Sequence, residues 1–165
     1  MEQAIVSGIA VNRGLAKVSV LGVPHQPGIA SHMLRIMADA RIEVGAIVQN
    51  MGKDGKTDLS FTLHRNDCAR AMELLWNPVL PALGAREVVG DTGVCEVSIV
   101  GTGTRSQVGV ASKMFGTLRE AGIQAQMLSA SETKTSVVIE ETQVELAVRS
   151  LREAFALDPQ AAPAA

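Results

Sequence analysis

The chain has 165 residues, 47% of them hydrophobic, and a formal net charge of −2. That much apolar material supports a packed core and excludes disorder outside a short tail. The scattered Lys and Arg residues form no basic patch for nucleic acid or an anionic membrane surface, and the length suits one domain or two small ones.

Met1-Glu2-Gln3 carries no basic n-region and no long apolar run follows. The expectation is therefore no signal peptide, no membrane span and a cytoplasmic location. Ala4–Val11 reads as a strand. From Ala16 to Gly22 apolar and polar residues alternate, which predicts a strand with one buried face. Pro24 and the Pro27-Gly28 pair break it, and Ile29, Met33, Ile36, Met37 and Ala40 then recur at helical spacing. Val44–Gln49 is a second strand, Lys53-Asp54-Gly55-Lys56 a hairpin turn of the Asp-Gly kind, and Thr57–Leu63 a third, alternating strand. Asn66 or Asp67 is placed to cap a helix with Cys68, Met72 and Leu75 on one face. Pro78 and Pro81 end that helix, and Ala85–Val89 reads as a closing strand. The first pass is βαββαβ.

A second pass follows. Gly93–Gly101 reads as a strand and Val108–Ala121 as a helix with Val110, Met114, Leu118 and Ala121 inward. Ile123–Ser129 and Lys134–Glu140 read as strands. Thr142 is placed to cap a last helix bearing Val144, Ala147, Val148, Leu151, Ala154 and Phe155. The copies match at Ala16–Gly22 with Cys95–Gly101 and at Pro27–Ala30 with Val108–Ala111. About eighty residues separate them, too many for a solenoid repeat of roughly 20–50 residues. The second copy lacks a closing strand, and Ala4–Val11 is surplus. The economical reading is that the N-terminal strand completes the second sheet and the first domain is inserted, which removes an exposed edge. The expected boundaries are 15–90 for the first domain, 1–14 with 91–158 for the second, and a disordered tail at 159–165.

Each copy places a glycine-bearing loop between a strand and a helix, where backbone N–H groups suit a carboxylate or phosphate. A purely structural tight turn reads the same. Neither loop is Gly-x-x-x-x-Gly-Lys-Ser/Thr. The second has Gly101-x-Gly103 but Ser106 where a dinucleotide fingerprint needs glycine, and no acidic residue follows about twenty positions on. The second strands end in Gln49-Asn50 and in Ser129-Ala130-Ser131-Glu132, groups that suit an amino acid's ammonium and side chain, or simply a solvated hairpin. His25, His32 and His64 have no carboxylate or nucleophile at a telling spacing, and Cys68 and Cys95 make neither a disulfide framework nor a zinc site. No catalytic residue, metal or cofactor is predicted. A βαββαβ sheet also serves RNA recognition, but that use stacks bases on aromatic strand residues; this chain has one Trp, three Phe and no Tyr. Nucleic acid is not an expected partner.

These residues resemble the tandem ACT domains of aspartate kinase, as found in its separately made regulatory subunit. The matching stretches are Gly8-Ile9-Ala10, Ala16-Lys17-Val18, Pro27-Gly28, Val48-Gln49-Asn50, Thr57-Asp58, Phe61-Thr62, Arg105-Ser106, Gly109-Val110, Ser129, Ser131-Glu132 and Ser136-Val137-Val138-Ile139, spanning Glu2 to Asp158. The resemblance implies an α+β fold of two ferredoxin-like ACT domains, the N-terminal strand completing the second. It implies a non-catalytic regulatory subunit that binds lysine, threonine or both at ACT–ACT interfaces, pairs as a homodimer and controls a catalytic aspartate kinase subunit. Carried over by position, the effector contacts are His25, Gly28, Ile29, Ala30 and Gln49 with Gln124, Ala125, Ser131 and Glu132. Relatives usually place Asp where this chain has His25 and Gly45, Asn-Ile where it has Gln124-Ala125, and Thr where it has Ala130. The expectation is weakened effector binding and relaxed feedback, restored by His25→Asp with Gly45→Asp. Two other readings stay open: an ACT dimer that only holds an assembly together, and a free-standing amino-acid sensor.

Overall fold

The computed structural model describes residues 5–76, 84–102, 107–131 and 133–157. Among the described residues, eight strands and four α-helices run in the order β1 (Ile5–Asn12), β2 (Leu15–Pro24), α1 (Ile29–Asp39), β3 (Val44–Met51), β4 (Lys56–His64), α2 (Cys68–Leu74), β5 (Glu87–Asp91), β6 (Val94–Thr102), α3 (Gln107–Glu120), β7 (Met127–Ala130), β8 (Lys134–Glu140) and α4 (Val144–Ala154). The chain divides into two compact units, Gly14–Thr92 and Met1–Arg13 with Gly93–Ala165.

The first unit has a four-stranded antiparallel sheet in the order β3-β4-β2-β5. Val18 and Val20 pair with Phe61 and Leu59, and all four side chains are buried. Met33 and Met37 of α1 and Cys68, Ala71 and Leu75 at α2 complete this core. Alternation in β2 and β4 thus buries one sheet face under one stripe of each helix. At Gly90 of β5 a Cβ would approach Cys68 Sγ to 3.2 Å and press on Met72, so the missing side chain lets α2 lie close against the sheet. Both cysteines are buried and neither is in a disulfide. Burial, and after it the charge of Asp91, pushes the Cys68 thiol above its ordinary range.

The second unit repeats the arrangement as β1-β6-β8-β7, also antiparallel. β1 holds the position that β5 holds in the first sheet, with Ile9 opposite Ile99 and both buried. The N-terminal strand therefore completes the second domain. Val97, Ile99, Val137 and Ile139 meet Met114 and Leu118 of α3 and Ala147 and Leu151 of α4. Both sheets carry one internal polar pair, Ser19 with Ser60 and Ser98 with Ser136, each hydroxyl pair at 2.7 Å.

Several element boundaries differ from the sequence reading. β7 starts at Met127 rather than Ile123. Gly122, at φ +75°, ends α3, and the N–H of Ile123 returns to the Leu118 carbonyl in a Schellman closure. Ile123 is buried as the apolar contact of a helix end, which looks the same in sequence as the first residue of a strand. β5 lies at Glu87–Asp91, two residues beyond the expected span. Single 3-10 turns, Arg65–Asp67 and Glu141–Gln143, precede α2 and α4. Asp67 takes the N-cap position of α2 as expected and Gln143, not Thr142, that of α4, but neither makes a side-chain cap bond; the His64 ring accepts the Asn66 N–H at 3.2 Å instead. Pro78, Pro81 and the tail fall outside the described residues.

Candidate functional site

In the first unit, β2 ends at Pro24 and the chain crosses to α1 through four exposed residues, His25 to Gly28. The β3–β4 turn anchors that crossing. Asp54 accepts the Lys56 N–H at 3.1 Å and closes the turn, and the Gly55 carbonyl accepts the His25 N–H at 2.9 Å. Gly28 sits at the N-cap of α1 with φ +89°, a left-handed backbone that side-chain-bearing residues rarely adopt. Having no side chain, it leaves the first-turn N–H groups of Ile29, Ala30 and Ser31 without a cap, and a helix has no carbonyls of its own to offer them.

Gly28, Ile29, Ala30 and Ser31 line a cavity of about 300 Å³. Val23, Met33 and Leu59 form its apolar floor, and Gln49 of β3 and Thr57 of β4 supply side-chain polar groups beside His25. The His25 Nδ1 and Thr57 Oγ1 atoms are 3.4 Å apart. Among the described residues lining it there is no Asp, Glu, Lys or Arg. The cavity can therefore hold a small polar ligand through side-chain and backbone hydrogen bonds and the positive end of the α1 dipole.

Five expected contact residues, His25, Gly28, Ile29, Ala30 and Gln49, line this one cavity. The second-unit candidates are placed differently. Gln124 is exposed and Ala125 packs partly on the core, both in the loop before β7 rather than in a strand. Ser131 closes the β7–β8 turn, its N–H on the Lys134 carbonyl at 2.7 Å and its hydroxyl at 3.3 Å from the same oxygen. It borders a notch of about 10 Å³, too small for more than a water. Glu132 lies outside the described residues. Gly45 does not line the first cavity, and a Cβ there would stand 2.7 Å from Thr62 Oγ1, which already accepts the Ala46 N–H. Restoring a carboxylate at position 45 therefore collides with β4, contrary to the sequence-level expectation. Thr57 is a wall residue that the sequence places only at the start of a strand and in a matching stretch, not among the contacts. Its place opposite His25 depends on β2–β4 register, where Val23 pairs with Thr57.

Comparison with known proteins gives a consistent picture. The ACT-domain family profile matches residues 18–77 and 97–155. An aspartokinase of Pseudomonas aeruginosa is 52% identical over 161 residues, which is 98% of this chain and 39% of that protein. The chain thus spans about two fifths of the length of the curated relatives it matches. A crystal structure of aspartokinase alpha and beta subunits includes a chain 49% identical, with a TM-score of 0.86, covering 92% of this chain and 99% of that one. The ligand-free regulatory subunit of aspartate kinase from Thermus thermophilus is 33% identical, with a TM-score of 0.85, over 91% and 98% of the two chains. Among the described residues no helix is long and apolar enough to cross a membrane.

Proposed function

The chain belongs to the ACT-domain family, as the tandem regulatory part of an aspartokinase, and from that premise we propose that it binds an amino-acid effector in the cavity at the start of α1. The phosphoryl-transfer chemistry belongs to a catalytic kinase part, whose output this binding adjusts. The observation that carries the proposal is the joining of uncapped helix N–H groups with Gln49 and Thr57 around one cavity of about 300 Å³. An effector's α-carboxylate fits the N–H groups of Ile29 and Ala30, where the helix dipole favours negative charge. Gln49 and Thr57 address the rest of the molecule.

No carboxylate of the cavity wall meets the effector's ammonium. A hydrogen bond to a charged group contributes roughly 1.5–3 kcal/mol, and each 1.4 kcal/mol is about tenfold in affinity. Threonine binding is accordingly weaker than in a relative that keeps such a carboxylate. Lysine, with a second ammonium, suffers twice. On β3, Ile47 and Met51 stand two residues either side of Gln49 and are 45% and 67% exposed. This apolar edge beside the cavity supports pairing with a second copy of the chain.

Calorimetry with threonine, lysine and methionine tests the effector, and light scattering tests the pairing. Threonine is expected to bind with a dissociation constant above the micromolar range, and Gln49→Ala to abolish the heat. Tight micromolar lysine binding, or a monomer at micromolar protein concentration, would contradict the corresponding half of the proposal. Pairing with no effector heat at all would favour the reading of a purely structural ACT dimer.

A further inference from the structure

The second unit holds a larger cavity that the effector reading does not use. It lies between the end of β1 and α4 and measures about 560 Å³. Val11, Val148 and Leu157, all half-buried, give it an apolar base. Glu145, Arg149 and Glu153 follow one another at four-residue intervals along α4, and all three border the cavity. Such spacing brings opposite charges together along a helix, yet none of the three forms an ion pair with another described residue. All three side chains are exposed at its rim. Arg13 and Arg152 also border it, so the wall presents both signs around an apolar base.

A wall of that kind is complementary to a free amino acid with an apolar side chain. A guanidinium fork matches the α-carboxylate in bidentate fashion. A glutamate matches the α-ammonium, and Val11, Val148 and Leu157 match the side chain. The first cavity offers different chemistry, with no Asp, Glu, Lys or Arg among the residues lining it. We propose that the cavity beside α4 is a second amino-acid site, separate from the one at α1 and selective for zwitterions with an apolar side chain such as leucine. Its recognition uses charge at both ends of the backbone, so capping either end of the ligand weakens binding. The proposal stands whether or not the first cavity binds an effector.

Calorimetry of the 165-residue chain with L-leucine, N-acetyl-leucine and leucinamide tests it. Leucine is expected to bind, and each capped form to bind at least about tenfold more weakly, since each loses one charge-assisted contact. Arg149→Ala, and separately the pair Glu145→Gln with Glu153→Gln, are expected to weaken leucine by a similar factor without changing the thermal midpoint by more than a few degrees. Gln49→Ala is expected to leave leucine binding intact. Absence of leucine binding at millimolar concentration, equal affinity for N-acetyl-leucine, or full affinity in Arg149→Ala overturns the proposal. Loss of leucine binding in Gln49→Ala overturns it as well, by moving the ligand to the first cavity.

Discussion

In the first unit the N–H of Gly22 is held by the Asp58 carboxylate at 2.8 Å; in the second, the N–H of the matching Gly101 goes to the Thr133 carbonyl at 2.9 Å. The same corner of the same sheet is closed by a side chain in one unit and by backbone in the other. Beside the first lies a cavity of about 300 Å³, beside the second a notch of about 10 Å³. Register shows how few residues separate the two outcomes. Gln49 pairs with Leu59 in the first sheet, and Ala130 with Thr135 in the second. The first unit's β3 is eight residues long and its counterpart β7 only four. The shared core fixes strand order and register, while edge and turn residues set how much space the described residues leave at this corner.

Exchanging matched core residues gives the largest test of this view. Phe61 and Val137 occupy equivalent positions opposite Val18 and Val97, and both are fully buried. Phe61→Ala should cost about 3–5 kcal/mol. Val137→Ala removes less side chain and should cost about 2 kcal/mol. Two separable melting transitions in calorimetry, with only the mutated unit's transition moving, would sharpen the comparison. A single transition shifted by either change would break it.

Removing one hydroxyl from each serine pair probes the feature the units share. Ser98→Ala leaves Ser136 buried without its partner and should cost about 1–3 kcal/mol. Ser19→Ala should cost less, on the order of 1 kcal/mol, because that pair is only partly buried. Chemical denaturation of both variants checks the ranking, and the reverse order would count against equivalent roles for the two pairs.

The smallest effect is confined to alkaline pH. The folded-state pKa of Cys68 is raised by burial and then by Asp91. The thiol's contribution to stability is therefore fully present below the unfolded-state pKa. It is lost as pH rises through the folded-state value, since the unfolded chain ionises first. Cys68→Ala should flatten the decline in stability above the ordinary thiol range. An unchanged alkaline slope in that variant would assign the decline to other groups.

The strands that bury one face, β2, β4, β6 and β8, were legible because alternation at period two is a direct readout of burial. The place of β1 was legible by a different route: one copy lacked a fourth strand and one strand was left over. Residues 123–126 were misread because a Schellman closure buries Ile123 as thoroughly as a strand would. Asp67 holds the N-cap position of α2 as the sequence places it, but behind a 3-10 turn it makes no side-chain cap bond, and the turn ahead of α4 moves that helix's N-cap from Thr142 to Gln143. The first cavity was legible in outline from Pro27-Gly28 and Gln49. Thr57 and the obstruction at Gly45 were not, since both depend on which residue of β4 lies across from the site. The cavity beside α4 unites the end of β1 with residues more than 130 positions later, a distance no local pattern spans.

The pairing of β1 with β6 has a kinetic consequence. Its partners, from Asn12 with Glu96 to Ile5 with Thr102, lie 84 to 97 residues apart in sequence, and contacts that distant ordinarily make folding slow. Here the intervening chain is itself a unit whose first and last strands are neighbours, with Lys17 opposite Asp91. Once that unit has folded, the loop that must close between β1 and β6 is only a few residues long, and its entropic cost falls accordingly. The second unit thus inherits its route to completion from the first, and a lesion in the β2–β5 pairing delays the domain it does not belong to.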